Sequence, residues 1–283
     1  MNKKVGLVLE GGGFRGIYSA GVIDYLLEKN IELPYVIGVS MGACNGVNYI
    51  SKQIGRNLNV PYSYVNDKRY MSYSRLFTKG ELFGMDFIFN EIPKKLIPFD
   101  FETYSKSEQD FVIGTTDCIT GKPFYIKTLD YDNLLTSLKA SASLPFASKM
   151  VKFHDKKLLD GGISDPIPFQ KAFNDGCDKV VIVLTQPIEF EKKPTKFSTI
   201  GKLLYPKYPQ LIDVLSKRYH FYNQQLEEIK QLEKEGKAYV IRPENKIPVS
   251  RTERNKEKLQ EAFTMGYKHC EQIFNDLNNW LHI

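Results

Sequence analysis

The sequence predicts an α/β fold with a mainly parallel central sheet flanked by helices. Three observations carry that expectation. Short apolar runs alternate with helical spacings over residues 5–54. Two glycine-rich turns stand where a strand would pass into a helix. Residues 179–185 (KVVIVLT) are nearly all apolar, as a strand covered on both faces requires.

Taken in order, residues 5–9 form an apolar run that stops at a glycine cluster and read as a buried strand. Residues 16–29 carry Ile17, Ala20, Val22, Ile23, Leu26 and Leu27 at helical spacing. A second strand is expected over 35–39 and a second helix from Met41 to about Ile54. Strand, glycine turn, helix, strand, tight turn, helix is the pattern of a parallel sheet. From 59 to 101 the periodicity is lost and aromatic residues crowd among Lys, Arg and Pro, which predicts a cap of short helices and loops. Residues 111–115 and 123–127 read as antiparallel strands joined through 119–122. A helix over 133–141 ends before Pro145, and 179–185 is placed as a central strand. Residues 187–209, rich in Pro and Lys, read as a boundary or flexible loop. Ile212, Leu215, Tyr219, Tyr222, Leu226 and Ile229 mark an amphipathic helix. A last strand is expected over 238–242, and a closing helix carries Leu259 to Leu281.

With 283 residues, 42% apolar and 25% charged, the chain is long enough for one large or two small globular domains, and nothing in it suggests disorder. A net charge of +6 suits contact with anionic membranes or phosphorylated substrates, and equally suits plain solubility. Cys44, Cys118, Cys177 and Cys270 are far apart, so a disulfide framework or zinc site is not expected and a reducing cytoplasm fits. The apolar run after Lys3 and Lys4 is shorter than the roughly 7–15 residues of a signal-peptide core. No window approaches the 18 or so apolar residues of a spanning helix. The expectation is a soluble, cytoplasmic protein whose membrane contact, if any, is peripheral.

Three strings carry chemistry. Gly38-Val39-Ser40-Met41-Gly42 fits the nucleophile-elbow pattern, a serine on a sharp strand-to-helix turn with Gly38 and Gly42 giving room. By itself the pattern is weak, and a serine capping a helix would look the same; the strand before and the helix after give it weight. Gly11-Gly12-Gly13-Phe14-Arg15-Gly16 also satisfies the dinucleotide-binding spacing through Gly11, Gly13 and Gly16. That fold wants an acidic residue at the end of its second strand, where this chain has Ser40. Glycines ahead of a helix still offer N–H groups to an anion, and an oxyanion is the ligand expected there, with Arg15 nearby to favour negative charge. Asp160-Gly161-Gly162, read alone, is an ordinary turn; beside the other two strings it supplies the leading candidate for a base. A serine hydroxyl needs such a base at neutral pH. The four histidines, His154, His220, His269 and His282, are poorly placed, so a Ser–Asp pair is favoured over a triad.

These strings, with Lys139-Ala140-Ser141-Ala142-Ser143-Leu144-Pro145 as a fourth block, resemble the patatin-like phospholipases. The resemblance covers roughly residues 5–183. It implies a three-layer α/β/α acyl hydrolase acting on a lipid or acyl ester, with Ser40 as nucleophile, Asp160 as general base and Gly11, Gly12 and Gly13 as oxyanion loop. Gly161 and Gly162 support the aspartate; Gly162 stands where many members carry alanine. No metal, cofactor or nucleic acid is implied. The organisation expected is a hydrolase domain over 5–185 with a cap over 59–101, then a helical extension over 186–283 packed on it. Burial is expected to raise the pKa of Asp160. The cap aromatics would line an acyl pocket or form a small satellite core. A nucleotide-binding module and a non-catalytic regulatory protein are the competing readings.

Overall fold

The computed structural model describes residues 3–195 and 197–282. Its strands are β1 (Val5–Leu9), β2 (Tyr35–Val39), β3 (Asp110–Asp117), β4 (Pro123–Ile126), β5 (Val151–Phe153), β6 (Lys156–Asp160), β7 (Lys179–Val183) and β8 (Ala238–Ile241). They form one sheet in the order β5-β6-β3-β2-β1-β7-β8, with β4 paired to β3. From β3 to β8 along that order the neighbours are parallel; β4 and β6 run antiparallel to β3, and β5 antiparallel to β6. Every residue of β1, β2 and β7 is buried, which is why these strands read as unbroken apolar runs. The run at 179–185 was expected at the centre of the sheet. It lies one strand in from the edge, and β8 from the C-terminal segment gives it a neighbour there.

Helices cover both faces. They are α1 (Ile17–Glu28), α2 (Met41–Ile50), α3 (Arg56–Tyr64), α4 (Tyr73–Lys79), α5 (Phe101–Lys106), α6 (Tyr131–Ser141), α7 (Phe169–Asn174), α8 (Phe197–Leu204), α9 (Pro209–Lys234) and α10 (Lys256–Leu281). On one face Leu7, Leu9, Val36, Val181 and Val183 pack with residues of α1, α2 and α10; on the other Val8, Ile37, Val180 and Ile182 pack with α7 and α9. The helices α1 and α10 touch backbone to backbone. A Cβ on Gly21 would stand 2.1 Å from Phe263 O, and one on Gly266 would stand 1.9 Å from Tyr18 O. The C-terminal segment therefore contributes a sheet strand as well as packed helices.

Two expected boundaries shift. The helix expected to run from Met41 to about Ile54 ends at Ile50, because the chain turns through Lys52 (φ +54°) and Gly55 (φ +79°). The proline- and lysine-rich segment 187–209 contains α8. Between α4 and α5 the chain holds a wide helical segment, Phe87–Leu96, closed by Ile97 N–H donating to Ile92 O, five residues back, at 2.9 Å. Among the described residues no helix is long and apolar enough to cross a membrane.

Candidate active site

The sheet itself brings the two catalytic candidates together. The last pair of β2 with β3 is Val39–Gly114, and the first pair of β6 with β3 is Thr115–Asp160. Because β4 occupies the opposite edge of β3 over Ile113–Thr116, β2 and β6 must share one edge, end to end. The chain leaves β2 at Ser40 where β6 arrives with Asp160. Two residues 120 positions apart in sequence become neighbours through consecutive register positions.

Ser40 occupies a strained turn, φ +56° and ψ −127°, a backbone region that costs an L-residue about 1–3 kcal/mol. The surroundings enforce it. Ser40 N–H donates to Ser141 Oγ at 2.8 Å, and that hydroxyl donates to Gly114 O at 2.6 Å. Ser40 O accepts from Ala43 and Cys44 N–H, both at 3.1 Å, starting α2. A Cβ on Gly38 would stand 2.5 Å from the Gly42 carbonyl carbon, and one on Gly42 would stand 2.3 Å from Leu9 O, so both glycines are needed for this turn.

Asp160 is 3% exposed. Its Oδ1 accepts from Gly162 N–H at 2.8 Å, while Oδ2 is buried with no hydrogen-bond partner among the described residues. Burial pushes its pKa up from the ordinary carboxylate value. The Ser40 hydroxyl opposes that rise most, followed by the positive charge of Arg218, the Gly162 N–H and the charge of Arg251. Its main chain is fixed by Asp160 N–H donating to Ser143 O at 2.9 Å and by Thr116 Oγ1 donating to Asp160 O at 2.8 Å. A Cβ on Gly161 would stand 2.3 Å from Gly114 O, so only glycine passes there. The fourth block of the sequence thus gains a structural role: Ser141 holds the Ser40 backbone and Ser143 holds that of Asp160.

The glycine loop runs along the other side of Ser40. A Cβ on Gly11 would lie 3.1 Å from Ser40 Cβ; one on Gly12 would lie 2.8 Å from Thr185 Oγ1; one on Gly13 (φ +58°) would lie 2.8 Å from Arg251 O. Among the described residues, none of these three N–H groups donates a hydrogen bond. Gly16 closes the loop, its carbonyl accepting from Asn45 Nδ2 at 2.7 Å. Arg15 turns toward Gln186, with Nε and Nη2 3.1 and 3.2 Å from the amide oxygen in the orientation that gives both ends of that amide partners.

A cavity opens at Ser40 with an empty volume of about 1090 Å³, its mouth included. Its walls are mostly apolar, with Phe14, Met41, Val47 and Leu138 from the core and Tyr70, Phe83, Phe89 and Phe99 from the cap. Of the cap aromatics, Tyr62, Tyr64, Tyr73, Phe77, Phe87 and Phe101 stand outside this lining. No histidine lines it. His154, His220 and His282 are exposed, and His269 shares a 2.5 Å hydrogen bond with Tyr18 Oη. Among the described residues no group of His, Cys, Asp and Glu could hold a metal ion.

Sequence reasoning missed Glu10 and the residues that meet it. Glu10 directly follows β1, is 1% exposed, and accepts from Thr185 N–H (2.5 Å), Thr185 Oγ1 (2.9 Å) and Tyr222 Oη (2.7 Å). It thereby binds the glycine loop to the end of β7 and to α9. A lone acid at the end of an apolar strand gives no sign of partners 175 and 212 residues away.

A family model for patatin-like phospholipase matches residues 7–173, more than half of the chain and all four blocks. The chain belongs to the patatin-like phospholipase family. A second model, a domain of unknown function (DUF6363), matches residues 208–282. Among curated relatives, the chain is 27% identical over 215 residues to the uncharacterized protein YjjU of Escherichia coli K12, covering 71% of this chain and 57% of that protein. It is 26% identical over 197 residues to lysophospholipase nte1 of Aspergillus terreus, covering 64% of this chain and 12% of the fungal protein. With the probable lipid hydrolase 463L of Invertebrate iridescent virus 6 it shares 28% identity over 186 residues, 59% of this chain and 62% of the viral one. Each match thus spans less than two thirds of the relative's length. Among solved structures, VipD from Legionella pneumophila aligns with a TM-score of 0.50 and 14% identity, over 98% of this chain and 67% of that one, a likeness of fold.

Proposed function

We propose that this patatin-like protein is a lipid acyl hydrolase, a carboxylic ester hydrolase working through a Ser40–Asp160 dyad. The observation that carries the proposal is the shared edge of β3. It delivers a strained serine beside a buried carboxylate whose Oδ2 is unpartnered, at the mouth of an apolar cavity. The names of the fungal and viral relatives support a lipid ester as substrate.

In this reading the acyl chain lies in the cavity and the ester carbonyl meets Ser40 Oγ. Asp160 Oδ2 takes the hydroxyl proton as oxygen attacks carbon. The tetrahedral oxyanion is held by the free N–H groups of the Gly11–Gly13 loop. Asp160 returns the proton to the departing alcohol, and the same carboxylate then activates the water that releases the acid from Ser40. Burial fits Asp160 for this work by raising its basicity above that of a solvated carboxylate. Residues 5–185 are the catalytic unit with 59–101 as cap, and the segment from 186 onward completes the sheet and one side of the site. Exposed Phe77, Ile200, Leu203 and Leu204, with the net charge of +6, favour peripheral contact with an anionic lipid surface. The test is a fluorophosphonate probe with mass-spectrometric mapping. Ser40 should be the labelled residue, and labelling that survives Ser40→Ala would falsify the assignment.

A further inference from the structure

Four basic side chains that the proposed mechanism leaves unused meet beyond Ser40, where the ends of β1 and β7 part. Arg15 comes from the glycine loop, Lys192 from the segment after β7, Arg218 from α9 and Arg251 from the loop before α10. Arg218 Nε donates to Gly162 O, and its Nη2 stands 3.4 Å from where a Cβ on Gly162 would be. Arg251 O accepts from Phe14 N–H at 3.4 Å, and Arg251 lines the cavity with Ser40. Lys192 is held by two 2.9 Å bonds, its N–H to Asn223 Oδ1 and Asn223 Nδ2 to its carbonyl. That places Nζ 4.4 Å from the centre of the Tyr222 ring, one helical turn after Arg218. Arg15 lies against Gln186, next to Thr185, which donates to Glu10.

The charges do not balance. Among the described residues none of the four makes an ion pair. The carboxylates that act on them are Glu10 and Asp160, and Glu10 already accepts from Thr185 and Tyr222. Burial and the neighbouring arginines push Lys192 down to about 7 and Arg218 down to about 10. Arg15, Lys192 and Arg218 are half-buried and Arg251 is exposed; like charges gathered without counter-ions are costly, and a bound anion makes such an arrangement favourable. Support of Asp160 does not account for the set. Arg218 and Arg251 are among the groups that shift that carboxylate most; Arg15 and Lys192 are not. The location has its own meaning. The β1 to β2 crossover runs through α1 on one face and the β7 to β8 crossover through α9 on the other, so β1 and β7 flank the topological switch point. Open α/β sheets bind ligands there.

We infer that Arg15, Lys192, Arg218 and Arg251 form an anion subsite for the alcohol half of the substrate, taking a phosphate group carried on it. The inference rests on the acyl-hydrolase reading and narrows it. The preferred ester has an apolar acyl chain on one side of the carbonyl and a net negative head group on the other. A choline-type cation beyond the phosphate would meet an excess of positive charge.

The test uses the full chain and three short, micelle-free monoacylglycerols with one acyl chain. One is unphosphorylated, one carries a terminal phosphomonoester and one carries phosphocholine. The phosphomonoester should exceed the neutral ester at least about tenfold in kcat/KM, chiefly through KM, with phosphocholine well below it. Lys192→Gln and Arg251→Gln should each shrink the ratio of phosphomonoester to neutral ester by about tenfold. Hydrolysis of all three at similar kcat/KM overturns the subsite and leaves the hydrolase reading standing. Hydrolysis of none, with Ser40 unlabelled by fluorophosphonate, sinks the hydrolase reading instead. Binding of the phosphomonoester to Ser40→Ala needs no turnover and should weaken about tenfold on adding Lys192→Gln; unchanged affinity overturns the subsite whatever the activity. Inorganic phosphate should compete with the phosphomonoester. If it binds while the head-group preference is flat, the cluster takes a free anion and the head-group inference fails.

Discussion

The two sides of the site are built in opposite ways. The proposed acyl side is mostly apolar, and apart from Arg251 its lining residues lie within the first 144 positions. The far side is cationic, assembled from Arg15 and from Lys192, Arg218 and Arg251 beyond β7. The first excludes water, so that polar groups aimed at Ser40 act in a low-dielectric setting. The second leaves positive charge unmatched. A serine and a carboxylate at the seam between such surfaces suit a substrate with one greasy and one charged half. The comparison breaks if either side proves irrelevant to turnover.

The largest effect belongs to the seam. Ser40→Ala should leave no ester hydrolysis above background. Asp160→Asn should lower kcat by at least about 10²-fold, the scale of general-base catalysis. His220→Ala and His269→Ala should retain most activity. A collapse in either histidine variant, with the fold intact by circular dichroism, would replace the dyad with a triad.

Next comes the glycine loop, where the structure separates two neighbours that look alike in sequence. Removing an oxyanion donor costs about 10²–10³ in kcat. A Cβ at Gly12 would meet Thr185 Oγ1, and Thr185 is buried and bonded to Glu10, so it cannot swing aside freely. Gly12→Ala should therefore push the loop and cut kcat by about that factor, and adding Thr185→Ala should restore much of it. A Cβ at Gly11 would meet Ser40 itself, so Thr185→Ala should do nothing for Gly11→Ala. Rescue of both variants, or of neither, would remove the distinction. Thermal midpoints measured alongside show whether a loss is merely unfolding.

Much of this was legible in the sequence, and the reason is local. The parallel sheet flanked by helices follows from buried runs and glycine turns, and a strained elbow announces itself because few residues other than glycine fit around Ser40. The resemblance carried by the four blocks names the family that the model over 7–173 identifies. What stayed hidden is set by register and by long-range contact. That Asp160 arrives beside Ser40 depends on β6 taking over the edge of β3 that β2 leaves, and no periodicity encodes that. Arg218 sits in a helix whose apolar stripe reads as simple amphipathicity, and its place by Gly162 is fixed by packing across the sheet. The strand 179–185 looks central because it is covered on both faces, a property that a strand one in from the edge shares once β8 pairs with it.

The cationic side can be divided further by pH. A base raised by burial is ionised only above its raised pKa, so kcat/KM should fall with falling pH at values above the ordinary carboxylate range. Arg218 lowers the pKa of Asp160. Arg218→Gln should accordingly move the acid limb to higher pH, while Lys192→Gln leaves the limb in place and changes KM for the phosphomonoester. Equal limbs in the two variants would merge the two roles.

The smallest effect concerns a second buried carboxylate, away from the cavity lining and with no cation acting on it. Asp24 of α1 is 1% exposed; its Oδ2 accepts from Gly55 N–H at 2.7 Å, at the start of α3, and its Oδ1 has no partner. Burial, against the Gly55 hydrogen bond, pushes its pKa up to about 7. The folded protein then keeps a proton that the unfolded chain has lost, so this group's contribution to stability is full at about pH 4 and disappears as pH rises to about 7. Asp24→Asn keeps an acceptor for Gly55 N–H and cannot ionise, though it leaves an amide donor where Oδ1 was, at a cost of about 1–3 kcal/mol if unpaired. That cost does not depend on pH, whereas the relief does. The difference in thermal midpoint between variant and parent should therefore move in the variant's favour from pH 4 to pH 8, without change in head-group preference. A constant offset across that range would mean that Asp24 titrates near its ordinary value despite its burial.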